Sequence, residues 1–364
     1  MWKARKEKEA GFGLKFDENL KLQTSTLIFF GLYIVDLKNG CIFVPNMPAP
    51  LPVRTAQSGG AIFLYIMQKN TYNKPFLPYR VQISLLKSRG MKFADETKAL
   101  HLLKRISYYR LSVYWRPLLA NKENLIFKPN ASFDTAFALY KFDRELRLLI
   151  LSELEKIEIA VRSQMAYSLS TAHGSFWMED ETLFADTDKY QFTLAKIKSE
   201  LERSDEEFVI TFKSNYSNPL PPSFITLEIT SFGALSRLYE NLKSDVAKRE
   251  VSQVFGLSDV TFISWLHGLV YIRNVCAHHA RLWNKPLQIQ PLFPRRTQHT
   301  WLTNTTVNNN RLFYALSMII YLLNTVNPNH SFKKKLENLF QKYPNVDRAA
   351  MGFPANWRSE PLWQ

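Results

Sequence analysis

Between Ser132 and about Ser170 the chain carries one long run in which Leu139, Phe142, Leu146, Leu149, Ile157 and Val161 recur at helical spacing. Ser132 or Asp134 marks its start, and Gly174 lies beyond its end. At about 1.5 Å per residue such a helix spans roughly 55 Å, and its apolar stripe needs cover along that length. Other helices supply it. Residues 81–88, closed by Gly90, and 95–106 read as a small helical module ahead of the run. Residues 188–203, 205–213, 224–242, 245–255, 258–283, 308–325 and 331–341 read as helices after it, with a break forced by the NPLPP string at 218–222. Residues 108–133, rich in aromatics and interrupted by Pro117 and Pro129, read as a connector with at most one short strand or hairpin. The expected fold is all-α, a helical bundle over residues 131–364 preceded by a helical module and connector over 67–130.

Residues 1–66 have a different character. The stretch 16–43 mixes apolar and polar residues without a sustained period, and Pro45, Pro48, Pro50 and Pro52 then break regular structure. Residues 26–35 are too short and too interrupted to span a bilayer, and no small-residue cleavage site follows a compact apolar region. No membrane partner is expected. The leader has no expected function, and Met67, just ahead of the organised chain, offers an alternative translation start.

The balance of 47 basic against 32 acidic residues, a formal +15, favours an anionic partner, for which RNA, DNA and membrane surfaces all qualify. With 46% apolar and 14% aromatic residues the chain can bury a large core. The two cysteines, Cys41 and Cys276, sit in unlike contexts, which argues against a disulfide framework and fits a reducing, cytoplasmic setting.

The chemistry concentrates in residues 264–283, SWLHGLVYIRNVCAHHARLW. On a helical wheel at about 100° per residue, Trp265, Leu269, Ile272, Cys276, His279 and Trp283 form a core-facing stripe. His267, Tyr271, Asn274, His278 and Arg281 line the opposite face, with Arg273 on its flank and Ala277 and Ala280 leaving room for a large partner. Cys276 and His278 point about 160° apart on that wheel, so a shared zinc site is geometrically poor and no metal is expected.

The string from Arg273 to His278 resembles the Arg-X(4–6)-His signature of the HEPN superfamily, and IRNVCAHHARLW is similar to the form found in the Abi, or abortive-infection, family of bacterial proteins. Further strings extend the resemblance over about residues 68–363: Tyr72, Lys74 and Pro75 with Gln82, Leu85 and Leu86; SYYRL at 107–111; YKFDRELR at 140–147; KIE at 156–158; SFG at 231–233; and MGFP at 351–354. The resemblance implies a HEPN-type bundle, an RNA-cleaving, toxin-like effector of defence against bacteriophage, and a homodimer that joins two motifs. It implies RNA as partner and no cofactor, and leaves room for an antitoxin or a non-coding RNA.

The residue types fit that chemistry. An imidazole, with an ordinary pKa of about 6.5, can take a proton from a ribose 2′-OH or give one to the departing 5′ oxygen, which is the role expected of His278. The Arg273 guanidinium can fork onto phosphate, and Asn274 can orient the imidazole or hold a phosphate oxygen. The product would be a 2′,3′-cyclic phosphate. His267, Tyr271 and Arg281 are candidate substrate contacts. Glu158 and Arg162, an i,i+4 pair, are either support behind Arg273 and His278 or an ordinary helix salt bridge.

Blander readings compete. Arg273, Asn274 and His278 can form a buried polar network, His279 reads as a core histidine, and Arg281, Lys333–Lys335 and Arg295–Arg296 suit solvated faces. Tyr108, Tyr109 and Tyr114, interleaved with Arg105, Arg110 and Arg116, suit either stacking of unpaired bases or core packing. The alternative function is a non-catalytic RNA- or protein-binding module of a defence system.

Overall fold

The computed structural model describes residues 27–30, 33–36, 41–43, 51–52, 71 and 74–364. The chain divides into two units, residues 1–75 and 76–364. In the first, β1 (Leu27–Phe30), β2 (Tyr33–Asp36), β3 (Cys41–Phe43) and β4 (Leu51–Pro52) pair antiparallel in sequence order. The aperiodic reading of this leader missed these short strands, because pieces of two to four residues are too brief for alternation to register. Met67 lies outside the described residues.

The second unit opens with α1 (Tyr79–Ser88) and α2 (Glu96–Ile106), the latter capped by Asp95, whose carboxylate accepts the Lys98 amide at 2.9 Å. The expected connector begins instead with a helix, α3 (Tyr108–Trp115), in which Leu111, Tyr114 and Trp115 are buried at i, i+3, i+4 spacing. Its aromatic density concealed that period. A short hairpin follows, β5 (Leu119–Asn121) with β6 (Ile126–Phe127). Leu86, Leu103, Leu111, Trp115, Phe127 and Phe133 close a small core over these elements.

Phe133 opens α4 (Phe133–His173), 41 residues long, behind Ser132, whose hydroxyl accepts the Thr135 amide at 3.1 Å. Gly174 ends it at φ 83°, a backbone region in which glycine carries no Cβ penalty. Leu139, Phe142, Leu146, Ile157 and Val161 are buried as the spacing requires, whereas Leu149 is only partly covered and Ile150 takes the core position.

Around it stand α5 (Thr187–Glu202), α6 (Glu207–Asn215), α7 (Ser223–Ile229), α8 (Phe232–Asn241), α9 (Val246–Val254), α10 (Asp259–Ala277), α11 (Leu312–Val326) and α12 (Phe332–Lys342). Helices α7, α9, α10, α11 and α12 pack directly on α4, while α5 packs on α7 and α8. Every residue from Leu312 to Leu323 is buried, so α11 is apolar on all sides as an enclosed helix should be. The fold is all-α in its described body, with twelve α-helices among the described residues. No single helix among them is long and apolar enough to cross a membrane.

Two expected helices end differently. The single helix over 224–242 is two, α7 and α8, because partners from other helices take the backbone at the break: Glu200 accepts the Ser231 amide at 2.9 Å and Arg162 donates to the carbonyls of Glu228 and Thr230. The helix over 258–283 stops at Ala277. There the His279 amide donates to the Cys276 carbonyl at 3.1 Å and the Ala280 amide to the Val275 carbonyl at 3.0 Å, a Schellman closure. His279 occupies the left-handed position at φ 56°, where glycine is usual but histidine is tolerated better than most residues. Without a glycine or proline, nothing in the string announced this stop.

Residues 76–364 hold their own two core clusters. A chain lacking residues 1–66 is therefore expected to melt in one cooperative transition, which scanning calorimetry checks; aggregation or a broad, non-cooperative trace would refute it.

Candidate active site at the end of α10

Because α10 closes at Ala277, His278 is its C-cap rather than a residue within its polar face. Its amide donates to the Asn274 carbonyl at 2.9 Å and its side chain is exposed. His279 also projects into solvent, not onto the apolar stripe expected for it, since the left-handed turn rotates it away from the core. Arg273 lies five residues before His278, about 7.5 Å along the helix axis.

Arg273 is tied to α4. Its Nε lies 3.7 Å from Glu158, and Glu158 in turn accepts from Arg162 at 3.0 Å, so one carboxylate sits between two guanidinium groups. Arg162 is fixed through the carbonyls of Glu228 and Thr230, so the chain of contacts runs from the α7–α8 break to the motif. The Arg273 side chain keeps 38% of its surface exposed and approaches the Asn274 side-chain oxygen at 3.4 Å. Burial pushes the Glu158 carboxyl above the usual carboxylate range, opposed by Arg273 and Arg162. On the α4 side Arg273 faces an open groove in which Glu155, Glu158 and Glu228 outnumber Arg162 and Arg273.

The remaining candidates disperse. His267 lies 3.2 Å from Glu240 of α8, seven residues or about 10 Å before Asn274 along the axis. Tyr271 packs against the main core beneath Lys285, with its hydroxyl buried and unpartnered. Arg281, expected on the helix face, lies in the segment after it and donates to the Val113 carbonyl of α3 at 3.4 Å. Cys276 is buried, and that burial pushes its thiol up to about 12, far from a reactive thiolate. Among the described residues no three His, Cys, Asp or Glu side chains converge as a metal site would require.

What holds the motif is a carboxylate that the functional reading passed over. Asp143 is fully buried on α4 and accepts the amides of Leu282, at 3.2 Å, and Trp283, at 2.6 Å, together with the Tyr114 hydroxyl at 2.7 Å and the Arg147 guanidinium. Burial raises the Asp143 carboxyl, opposed first by Arg147 and then by these donors. The segment after α10 is thus pinned at both ends, by its Schellman turn and by Asp143. Arg110 adds a third tie, donating to the His279 carbonyl at 2.8 Å. A signal was present: Asp143 and Arg147 form an i,i+4 charged pair beside Leu139, Phe142 and Leu146, and a charged pair flanking a core stripe has to meet polar partners inside the fold.

Residues 101–284 match the protein family described as Abi-like protein. That span contains α3, α4 and α10 and closes directly after Trp283. No curated protein and no solved structure matches the chain.

Replacing Asp143 by Ala leaves Arg147 and two amides without their buried acceptor. The expected cost is about 3–5 kcal/mol of stability, the scale for removing one partner of a buried ion pair, read by urea unfolding. Hydrogen exchange at Leu282 and Trp283 should accelerate beyond the global loss. Unchanged protection at those two amides would refute the clasp.

Proposed function

The chain belongs to the Abi-like protein family, and from that premise we propose that it is a metal-independent endoribonuclease of HEPN type, acting as an abortive-infection effector. Family membership itself points to the abortive-infection role. Cleavage is the further step, and one observation carries it: an exposed imidazole and a half-exposed guanidinium stand at the end of one helix, with Glu158 beside the guanidinium.

In the proposed reaction His278 removes the proton from a ribose 2′-OH, the oxygen attacks the adjacent phosphorus, and the bond to the 5′ oxygen breaks. Arg273 stabilises charge gathering on the phosphoryl oxygens, and Asn274 holds the imidazole or a phosphate oxygen. The products are a 2′,3′-cyclic phosphate and a 5′-hydroxyl. Glu158 and Arg162 act by positioning: Glu158 meets Arg273 at Nε, 3.7 Å away, and Arg162 braces Glu158. The carboxylates of the groove on the α4 side repel a polyanion, so RNA approaches along the exposed end of α10 and not through that groove. One chain supplies one Arg273–His278 motif, and the departing oxygen needs a proton from the other side of the phosphate. The active species is therefore a homodimer in which a second copy supplies it, with Ala277, the last residue of α10, near the contact.

Purified protein incubated with mixed RNA in EDTA tests this. Cleavage should persist in chelator and fall by about 10² or more in His278→Ala, the usual scale for general acid–base catalysis. Cutting that depends on added metal refutes the mechanism, and unchanged RNA affinity with no cutting by either protein selects the binding module.

The dimer has its own readout. Mixing inactive His278→Ala chains with inactive Arg273→Ala chains should restore part of the activity, and Ala277→Trp should weaken both association and cutting with little change in melting. A fully active protein that sediments as a monomer at assay concentration would exclude the shared site.

A further inference from the structure

We propose that Tyr109 is a stacking platform for an unpaired RNA base next to His278, flanked by Lys104, Arg105 and Arg110, so that the protein engages single-stranded RNA. The proposal rests on the ribonuclease reading above and names its substrate class.

The fold sorts three tyrosines that the sequence leaves equivalent. Tyr114 is buried with its hydroxyl on Asp143. Tyr108 packs edge-on against Trp115 at 5.0 Å between ring centroids, and burial pushes its phenol up. Tyr109 alone is 85% exposed. An aromatic ring of that size left in water, on a helix whose other aromatics are packed, is free to receive a flat partner.

Its position ties it to the motif. Tyr109 precedes Val113 by one helical turn and so lies on the same stripe of α3. Helix α3 abuts the segment after α10, because the Val113 carbonyl accepts Arg281 at 3.4 Å and Arg110, next to Tyr109 in the chain, donates to the His279 carbonyl at 2.8 Å. A base resting on Tyr109 would therefore belong to a nucleotide close to the phosphate reached by His278.

Charge identifies the partner. Lys104 and Arg105 end α2, Arg110 follows Tyr109, and all three are exposed. Among the described residues none of them pairs with a carboxylate, unlike Lys87 and Lys98 on the same module. An apolar partner would want a patch of hydrophobic neighbours, whereas exposed cations without carboxylate partners, close to the ring in the chain, suit a polyanion with exposed bases. Duplex RNA keeps its base faces stacked internally and offers none to Tyr109.

The test uses the full chain in a His278→Ala background, which stops cutting, with fluorescence anisotropy of a labelled single-stranded oligoribonucleotide and of a duplex of the same composition. Tyr109→Ala should weaken single-strand binding about tenfold or more, the loss of one stacked base, while Tyr109→Trp retains it and the duplex binds more weakly throughout. Tyr109 is exposed, so the melting temperature should not move. Single-strand binding unaffected by Tyr109→Ala, or equal affinity for the duplex, overturns the proposal; so does loss of binding only to vesicles containing phosphatidylserine. The two readings fail separately: a wild-type chain that does not cut, with binding still dependent on Tyr109, removes the nuclease and keeps the platform. Cutting and binding that ignore Tyr109→Ala remove the platform and keep the nuclease.

Discussion

The buried carboxylate of Asp143 is the contact on which the arrangement of the motif depends. A charge taken that far from water is tolerable only when opposite charge and hydrogen-bond donors surround it, and here those donors come from three places: Arg147 one turn along α4, Tyr114 on α3, and the amides of Leu282 and Trp283 after α10. Satisfying one charge therefore fixes three segments relative to one another. The return path of the chain after His278 follows from it, since a segment whose amides are held by α4 cannot continue the helix outward.

A second carboxylate does similar work on the other flank. Glu158 stands between Arg162 and Arg273, and Arg162 also takes up the carbonyls freed where α7 gives way to α8. The break between those helices and the aim of Arg273 thus share one guanidinium. In the proposed reaction this matters because a phosphate clamp gains from being held in place before the substrate arrives, and a flexible arginine would surrender that gain as lost side-chain freedom. In the proposed reaction, the excess of acid on that flank and the exposed Lys104 and Arg105 in the last turn of α2 give the region a direction of approach.

The long helix α4 was legible in the sequence to within a few residues, since its caps at Ser132 and Gly174 and its apolar spacing are local properties of the string. The same holds for the i,i+4 pair of Glu158 and Arg162, which meet at 3.0 Å. Where the local signals were weak, the reading slipped. Helix α3 hid behind its aromatics, and the one-residue choice between Leu149 and Ile150 as a core position turned on which face of α4 the surrounding helices cover.

The sequence by itself determined an all-α body, the extent of its longest helix and the residues able to carry acid–base chemistry, because helical periodicity, capping and side-chain type are read within a few residues of chain. Tertiary structure alone decided that α10 stops at Ala277, that His278 and His279 face solvent, that Arg281 turns to α3, and that Tyr109 stays exposed while Tyr108 and Tyr114 are covered. The physical reason is that helix-end hydrogen bonds are local but carry no distinctive residue here, while the path that follows depends on contacts far away in the chain, Asp143 foremost, and no window of neighbouring residues contains that partner.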